Sequence, residues 1–345
     1  MQHCEYGNGY IHKTFKLYFE NNSKMQNIIL QRFNHNVFKN PLEVAENMAQ
    51  VCTELVASGS DYQILTPVQS IDNQYFVTCG DQYWRAFYFI ENSVAIDSVA
   101  NAGQAYQAAR AFGNFVFKLK NLSPSELHTI IPDFHNGEKR LRDFYKSVEK
   151  DACGRVEDCK DLIDFVHKNQ KIIVEVQRLI DEKTIPQRAI HYDTKINNVL
   201  FDSHLDKVIA VIDLDTVMSG VVLSDFGDLV RTCSPTFDEN ESDATKIECR
   251  PEIFEAILDG YLDGVGDILL KAELENLMIG AKNIILIQAI RFFTDYLVGD
   301  VYYPIKYKTH NLVRAKNQFA LYTSILRQEN YLNKLIFQKI KTQKI

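Results

Sequence analysis

The most informative segment of the chain reads His191-Tyr192-Asp193-Thr194-Lys195-Ile196-Asn197-Asn198, which has the form H-x-D-x-x-x-x-N. An apolar run at 199–201, a polar turn and a second apolar run at 208–212 follow it and predict a β-hairpin. The hairpin would carry Asp213 back beside Asp193 and Asn198. These three polar side chains are therefore expected to meet at one place in the fold.

Their chemistry fits phosphoryl transfer, which needs positioning and charge neutralisation more than covalent catalysis. We expect Asp193 to orient an acceptor hydroxyl and to accept its proton. Mg²⁺ prefers oxygen ligands, and Asn198 and Asp213 would supply them, with Asp215 as a further candidate ligand, directly or through water. His191 and Lys195 are expected to brace the loop.

Two alternatives bear on this interpretation. The octet could be an ordinary turn before a strand, since short motifs give false positives, but the hairpin and the spacing of Asp213 favour the functional interpretation. A literal D-F-G string, which holds magnesium in protein kinases, begins at Asp225. Because it lies one segment beyond the hairpin, we expect Asp225 and Asp228 to cap a helix or to brace a loop.

The pattern of apolar residues changes along the chain. Alternation at 10–18 and 27–33, a helix at 41–58, and strands at 63–66, 74–78 and 83–90 predict a small sheet with one helix. From residue 98 onward, apolar residues recur every three or four positions, as in helices. We therefore predict an α+β, protein-kinase-like fold of two lobes, with an N-lobe at 1–90, a hinge at 91–97 and a larger, mainly helical C-lobe at 98–345.

Nucleotide contacts are expected in the N-lobe and at the hinge. Gly7, Asn8 and Gly9 could form a loop whose backbone N–H groups approach phosphates, although an ordinary turn has the same composition. The strand at 28–33 contains no lysine, so Arg32 is the candidate for the phosphate-binding charge, with Glu43 or Glu46 as its partner. Backbone groups of Phe89, Ile90 and Glu91 would meet adenine at the lobe junction.

The composition excludes several other classes of protein. The formal net charge is -7, and Lys and Arg are scattered except at 334–344, so no nucleic-acid partner is indicated. The seven cysteines are irregularly spaced, which argues against a disulfide framework and a zinc site. No segment approaches the roughly 18 apolar residues of a membrane span. We expect a cytoplasmic protein without a membrane partner, as a monomer or a weak dimer.

Longer segments resemble the aminoglycoside phosphotransferase and choline kinase superfamily, and within it most closely the N-acetylhexosamine 1-kinases. Besides the catalytic loop, the segments that carry the resemblance are 30–34, 37–41, 211–218, 225–228, 291–297, 299–302 and 310–312. The resemblance implies a kinase that uses ATP and Mg²⁺ and phosphorylates the anomeric hydroxyl of N-acetylglucosamine or N-acetylgalactosamine. It implies Asp193 as the base and Arg291 and Tyr302 as sugar contacts. In that family a strand precedes the glycine loop, and since six residues precede Gly7, the first strand is expected to be missing.

Two competing functions remain open at this point. The first is a kinase for an aminoglycoside or an amino alcohol, but its pocket should be acidic, and the region of Arg291, Arg314 and Lys316 is not. The second is a nucleotide-binding pseudokinase that acts as a scaffold, which would explain Gln31 at the position of the phosphate lysine. The presence of Asp193, Asn198 and Asp213 argues against a pseudokinase.

Overall fold

A computed structural model describes residues 2–7, 11–21 and 24–342. Its N-terminal part is a six-stranded antiparallel sheet with one helix. The sheet consists of β1 (Gln2–Glu5), β2 (Lys13–Asn21), β3 (Lys24–Phe33), β5 (Pro67–Val68), β6 (Val77–Cys79) and β7 (Gln82–Tyr88), in the order β1-β2-β3-β7-β5, with β6 also on β7. The expectation that the first strand is missing is wrong, because β1 pairs with β2 from Glu5 opposite Phe15 to Gln2 opposite Tyr18.

Helix α1 (Pro41–Ala57) follows β3 and begins as its sequence predicts, with Pro41 in the first turn and Glu43 near the positive end of the helix dipole. Its buried face includes Val44, Met48 and Val51. A buried polar residue, Asn47, donates hydrogen bonds from its amide to the carbonyl oxygens of His128 and Val217, at 2.9 and 3.0 Å. The helix is thereby fixed to the second lobe.

The second lobe is mainly helical, which confirms the predicted fold class. Its helices are α2 (Ala102–Lys118), α3 (Gly137–Lys150), α4 (Lys160–Asn169), α5 (Lys171–Asp181), α6 (Val222–Cys233), α7 (Pro251–Val265), α8 (Lys271–Glu275), α9 (Leu277–Leu297) and α10 (His310–Thr342). Helices α2 and α7 approach each other closely where glycines remove side chains from the interface. A Cβ atom on Gly260 would lie 2.2 Å from the backbone oxygen of Tyr106.

Helix α9 is the one helix in the described residues that is long and apolar enough to cross a membrane. The expectation that no segment approaches this length is therefore too strict. Its most apolar 18-residue window is 72% buried inside the protein, against α10, α6 and α3. This burial is typical of the central helix of a core.

A small sheet lies at the junction of the lobes. It contains β4 (Gln63–Ile64), β8 (Ser93–Val94) and the predicted hairpin of β10 (Val199–Asp202) and β11 (Val208–Val211), in the order β4-β11-β10-β8. Its two outer strands come from the N-terminal part and from the segment predicted as the hinge. The lobe boundaries at 90 and 98 remain a prediction. In a separate two-stranded sheet, β9 (Arg188–Ile190) pairs with β12 (Met218–Gly220), and β9 leads into the segment 191–198.

Candidate active site

The segment 191–198 is held by buried hydrogen bonds on both sides. His191 is fully buried, and its Nε2 lies 3.0 Å from the carbonyl oxygen of Ile212, just before Asp213. Its Nδ1 lies 3.4 Å from the backbone nitrogen of Asp193 and can accept that hydrogen, which leaves Nε2 as the donor to Ile212. The structure thus places His191 between the segment that contains Asp193 and the strand that leads to Asp213.

Asp225, at the start of α6, braces the other side of this segment. Its two carboxylate oxygens accept the backbone N–H groups of His191 and Tyr192 at 2.9 and 2.7 Å, and its carbonyl oxygen accepts the hydroxyl of Thr194. Asp228, one turn later, pairs with Arg231 at 2.7 Å. Asp225 therefore braces the loop, as the sequence predicts, and the exclusion of Asp225 and Asp228 as magnesium ligands stays a prediction.

The carboxylate of Asp193 has two partners from its own loop. The Nζ atom of Lys195 lies 2.8 Å from Oδ1, and the Nδ2 atom of Asn198 donates to Oδ2 at 3.0 Å. Burial raises the pKa of Asp193, but the charge and hydrogen bond of Lys195 outweigh it and lower the pKa to about 2. Asp193 is therefore ionised at neutral pH, and its side chain remains 18% exposed.

Asp213 and Asn198 fit the ligand set expected for a magnesium ion. Asn198 gives its amide nitrogen to Asp193, so its oxygen remains available to a cation. Burial raises the pKa of Asp213 to about 6, with contributions from the charges of Asp215 and Asp193, and a bound cation would offset this repulsion. Three or more His, Cys, Asp or Glu side chains do not converge into a metal site anywhere in the described chain. Mg²⁺ commonly takes only one or two protein carboxylates and completes its shell with phosphates and water.

Both carboxylate oxygens of Asp215 are already bound to other side chains. Arg85, from β7, forms a bidentate pair with this carboxylate at 2.5 and 2.7 Å, and the Nε2 atom of His12 lies 2.8 Å from Oδ2. All three side chains are at most 7% exposed. Burial opposes the ionisation of Asp215, but the charge of Arg85 and the hydrogen bond of His12 lower its pKa below the ordinary value. Direct metal ligation by Asp215 would have to displace these partners.

Arg32 does not face the site. Its neighbour Gln31 accepts a hydrogen bond from Arg85 at 2.9 Å, and the two are cross-strand partners of β3 and β7 on the face that meets the second lobe. Because successive side chains of a strand point to opposite faces, Arg32 lies on the outer face, opposite Trp84. Arg85, and not Arg32, is the arginine on the inner face of the sheet, and Glu46 pairs with His128.

The candidate adenine contacts lie at the end of β7. Phe89 has Lys16 above its ring at 3.3 Å from the centroid, and its backbone nitrogen donates to Asn27. Glu91 accepts a hydrogen bond from the Asn27 side chain at 2.7 Å, and the carbonyl oxygen of Ile90 accepts the hydroxyl of Ser93. Gly7 has a left-handed backbone, with φ of 79°, while Asn8 and Gly9 lie outside the described residues.

Arg291, in α9, and Tyr302, which follows that helix, both contact Tyr303. The guanidinium of Arg291 lies 5.2 Å from the ring centroid of Phe134 and 5.6 Å from that of Tyr303. Tyr302 is 62% exposed and contacts Tyr303 edge-on at 4.8 Å. The charges of both Arg291 and Asp193 act on His135, whose pKa is lowered well below its ordinary value by burial and by the charges of Arg291 and Arg231.

Three of these residues, Arg85, His12 and His135, were not found by sequence reasoning. Arg85 carries a usable signal, because it is a single charge within the otherwise uncharged strand β7, Gln82–Tyr88. Such a charge is expected to have a buried partner. His12 lies in the alternating segment 10–18, which predicts a strand but no buried partner, and His135 lies in a segment of no distinctive pattern. Their roles depend on contacts with residues more than fifty positions away.

Comparisons with known proteins agree with this geometry. The model of the phosphotransferase enzyme family matches residues 4–264. The structure is similar to an aminoglycoside phosphotransferase from Alicyclobacillus acidocaldarius, with a TM-score of 0.62 and 13% identity over 98% of this chain and 92% of that one. It is also similar to a microcompartment-associated aminopropanol kinase (TM-score 0.60, 15% identity, 95% and 93% coverage). A choline kinase from Cryptosporidium parvum gives a TM-score of 0.59 at 11% identity, with 97% and 93% coverage.

Proposed function

Because this chain belongs to the phosphotransferase enzyme family, as an ATP-dependent enzyme that acts on hydroxyl groups of small molecules, we propose that its acceptor is a sugar. The proposed reaction transfers the γ-phosphoryl group of ATP to the anomeric hydroxyl of N-acetylglucosamine or N-acetylgalactosamine and gives the sugar 1-phosphate. The family resemblance of the segments around Arg291 and Tyr302 suggests this acceptor, and the charge of the pocket supports it.

The observation that carries the proposal is the positive charge on the acceptor side of Asp193. The charges of Arg291 and Arg140 each lower the pKa of His135. Burial is the largest cause of the lowered pKa of Arg140, and the charge of Arg291 is the second. Within the described ranges, Arg140 donates to the backbone oxygens of Asp133 and Phe134, and Arg291 donates to the side chain of Gln288, and neither arginine has a carboxylate within ion-pair distance. Choline and aminopropanol carry a cationic nitrogen, which such a pocket would repel. A neutral, oxygen-rich sugar would instead accept hydrogen bonds from the guanidinium groups.

Buried nitrogens without partners support the same conclusion. The Nδ1 atom of His135 and the Nε atom of Arg140 are buried, and neither has a hydrogen-bond partner in the part of the chain that the structure describes. Buried polar groups in proteins are nearly always paired, so a substrate or water must complete these two. A sugar has hydroxyl and carbonyl oxygens that can do so.

The chain's own residues would act on the acceptor as follows. Ionised Asp193 would hold the hydroxyl in line with the γ-phosphorus and accept its proton as the O–P bond forms and the bond to ADP breaks. The ammonium of Lys195, beside Asp193, would stabilise negative charge that develops on the phosphoryl oxygens. Asn198 and Asp213 would hold Mg²⁺, which supplies charge neutralisation for the phosphates when bound.

The test is a panel of acceptors with ATP and Mg²⁺, comprising N-acetylglucosamine, N-acetylgalactosamine, glucosamine, choline and a 2-deoxystreptamine aminoglycoside. We expect ³¹P NMR to show a sugar 1-phosphate, identified by coupling to the anomeric proton. Glucosamine, with an ammonium in place of the acetamido group, should react far less well than N-acetylglucosamine. Phosphorylation of choline or the aminoglycoside in preference to the acetylated sugars would overturn the proposal.

The substitution Arg291→Gln tests whether this side chain contacts the sugar acceptor. Loss of a charged hydrogen bond to the substrate typically costs about 1.5–3 kcal/mol, so we expect the sugar KM to rise by roughly 10- to 100-fold while the nucleotide KM is unchanged. Arg142→Gln is the matched control, because the Arg142 side chain is 61% exposed and forms a surface ion pair with Glu138 at 3.8 Å. Equal sugar KM values in the two variants would remove Arg291 from the acceptor pocket.

A further inference from the structure

Three side chains from three separate segments form one closed network between the lobes. His12 lies just before β2, Arg85 in β7, and Asp215 two residues after Asp213. Both oxygens of Asp215 are used by Arg85 and His12, and the Nδ1 atom of His12 accepts the backbone N–H of Asn34 at 3.1 Å. Because Nδ1 is the acceptor, Nε2 carries the hydrogen that is donated to Asp215. Each polar atom in the network therefore has a defined role.

The network lies where a kinase normally has a different ion pair. In protein kinases, a lysine of the third strand binds the phosphates and pairs with a glutamate of the helix that follows. Here the third strand presents Gln31 to the site, and the candidate glutamate, Glu46, pairs with His128 on the surface. The only cation that reaches Gln31 within residues 2–7, 11–21 and 24–342 is Arg85, from the neighbouring strand.

We propose that Arg85, Asp215 and His12 form an inter-lobe latch that replaces the lysine–glutamate pair and holds Asp213 in position for the metal–nucleotide complex. Arg85 and His12 are in this proposal positioning residues rather than ligands. The proposal rests on the assignment of Asp213 above, but it does not depend on which acceptor is used.

The backbone of Asp213 explains why a latch is needed. Asp213 has a left-handed conformation, with φ of 60° and ψ of 56°, which costs free energy for a residue other than glycine. Such a conformation persists only when the surroundings determine it. Asp215 is fixed two residues later by the bidentate pair, and the Asp193 segment is fixed to Ile212 through His191. The turn that contains Asp213 is therefore held at both ends.

A transfer of charge between strands tests the latch. Arg85→Gln removes the cation, and the double variant Arg85→Gln/Gln31→Lys supplies a new one from the cross-strand partner on the same face. A third variant, Arg85→Gln/Asp215→Asn, removes both charges and leaves no unpaired carboxylate buried. Lys13→Gln is the matched control, since Lys13 is exposed on β2. Binding of ADP with Mg²⁺ is measured by calorimetry, with kcat, both KM values and the melting temperature for each variant.

We expect Arg85→Gln to weaken binding of the Mg²⁺–ADP complex by at least about tenfold and to leave the acceptor KM within about twofold. The Gln31→Lys change should recover most of the lost affinity. The doubly neutral variant should melt near the wild type and still bind weakly.

Normal binding by a folded, doubly neutral variant would overturn the proposal, as would a failure of Gln31→Lys to recover any affinity. If Arg85→Gln alone does not fold, the two double variants decide the question. Failure of the sugar proposal would appear in the acceptor panel and leave these affinities intact.

Discussion

Asp193 and Asp213 lie in the same buried site, yet their pKa values move in opposite directions. Lys195 overcomes the effect of burial at Asp193 and lowers its pKa to about 2, whereas burial and the charges of Asp215 and Asp193 raise that of Asp213 to about 6. Under the proposed function, the carboxylate with its own cation orients a hydroxyl, and the carboxylate without one binds an added cation. The surroundings of the two aspartates thus differ in a way that the amino-acid type alone does not show.

Asp193→Asn tests the first role. The amide is nearly isosteric, so folding should persist, but it cannot accept the proton. General-base assistance contributes about 10²- to 10⁴-fold, and an anomeric hydroxyl is more acidic than other sugar hydroxyls, so we expect a loss of kcat toward the lower end of this range. Comparison of kcat for both enzymes on N-acetylglucosamine is the measurement, with ADP affinity by calorimetry as the control. An unchanged kcat would exclude Asp193 as the base.

Asp213→Asn tests the second role through stability as well as activity. The pKa in the folded state, about 6, exceeds the ordinary 3.8, so this carboxyl favours folding at low pH and loses that contribution as the pH rises through 6. Without metal, the Asn variant should therefore melt higher than the wild type at pH 8 and by a smaller margin at pH 5, while its turnover is lost. Thermal melts in a chelator at the two pH values, with turnover in Mg²⁺, provide the check. A margin that does not depend on pH, or an active variant, would contradict the assignment.

Sequence could predict that Asp193, Asn198 and Asp213 lie together because the loop and hairpin that bring them together are local, within about twenty residues. Arg85 could not be placed in this way, since it lies 130 positions from Asp215 and meets it only when the lobes pack. The choice of Arg32 was wrong for a related reason. A one-residue difference along a strand exchanges the inner and outer faces, and sequence did not fix which face met the second lobe.

At the scale of elements, the contact of α2 with α7 depends on glycine. Gly260→Ala should be destabilising, because the new Cβ would lie 2.2 Å from the backbone oxygen of Tyr106, and overpacking of this kind costs about 1–3 kcal/mol. Alanine otherwise favours a helix by about 1 kcal/mol, so the net loss should be at the smaller end unless the helices cannot separate.

Denaturant unfolding measures this difference, with Glu252→Ala on the exposed face of α7 as the control. The control should change the free energy of unfolding by no more than about 0.5 kcal/mol. A Gly260→Ala variant as stable as the control would show that the helices can separate at no cost.

Elements with a strong local pattern were predicted from sequence, including α1 and the hairpin of β10 and β11. The two-residue strands β4 and β8 were assigned only as parts of longer or different segments. Two residues are too few to show the alternation of apolar and polar residues that marks a strand. These strands exist because β4 pairs with β11 and β8 pairs with β10 of the other lobe. Their structure is therefore a property of the tertiary fold.

At the scale of the whole molecule, the junction sheet β4-β11-β10-β8 is built from strands of both lobes. Each outer strand belongs by chain order to the N-terminal side, and each inner strand to the C-terminal side. Separation of the two sides would break backbone hydrogen bonds at both edges of the hairpin as well as the buried pair of Arg85 and Asp215. A chain of 345 residues is long enough to melt in two steps. Shared backbone pairing couples the two sides instead, so that heat or denaturant should unfold them in a single cooperative transition.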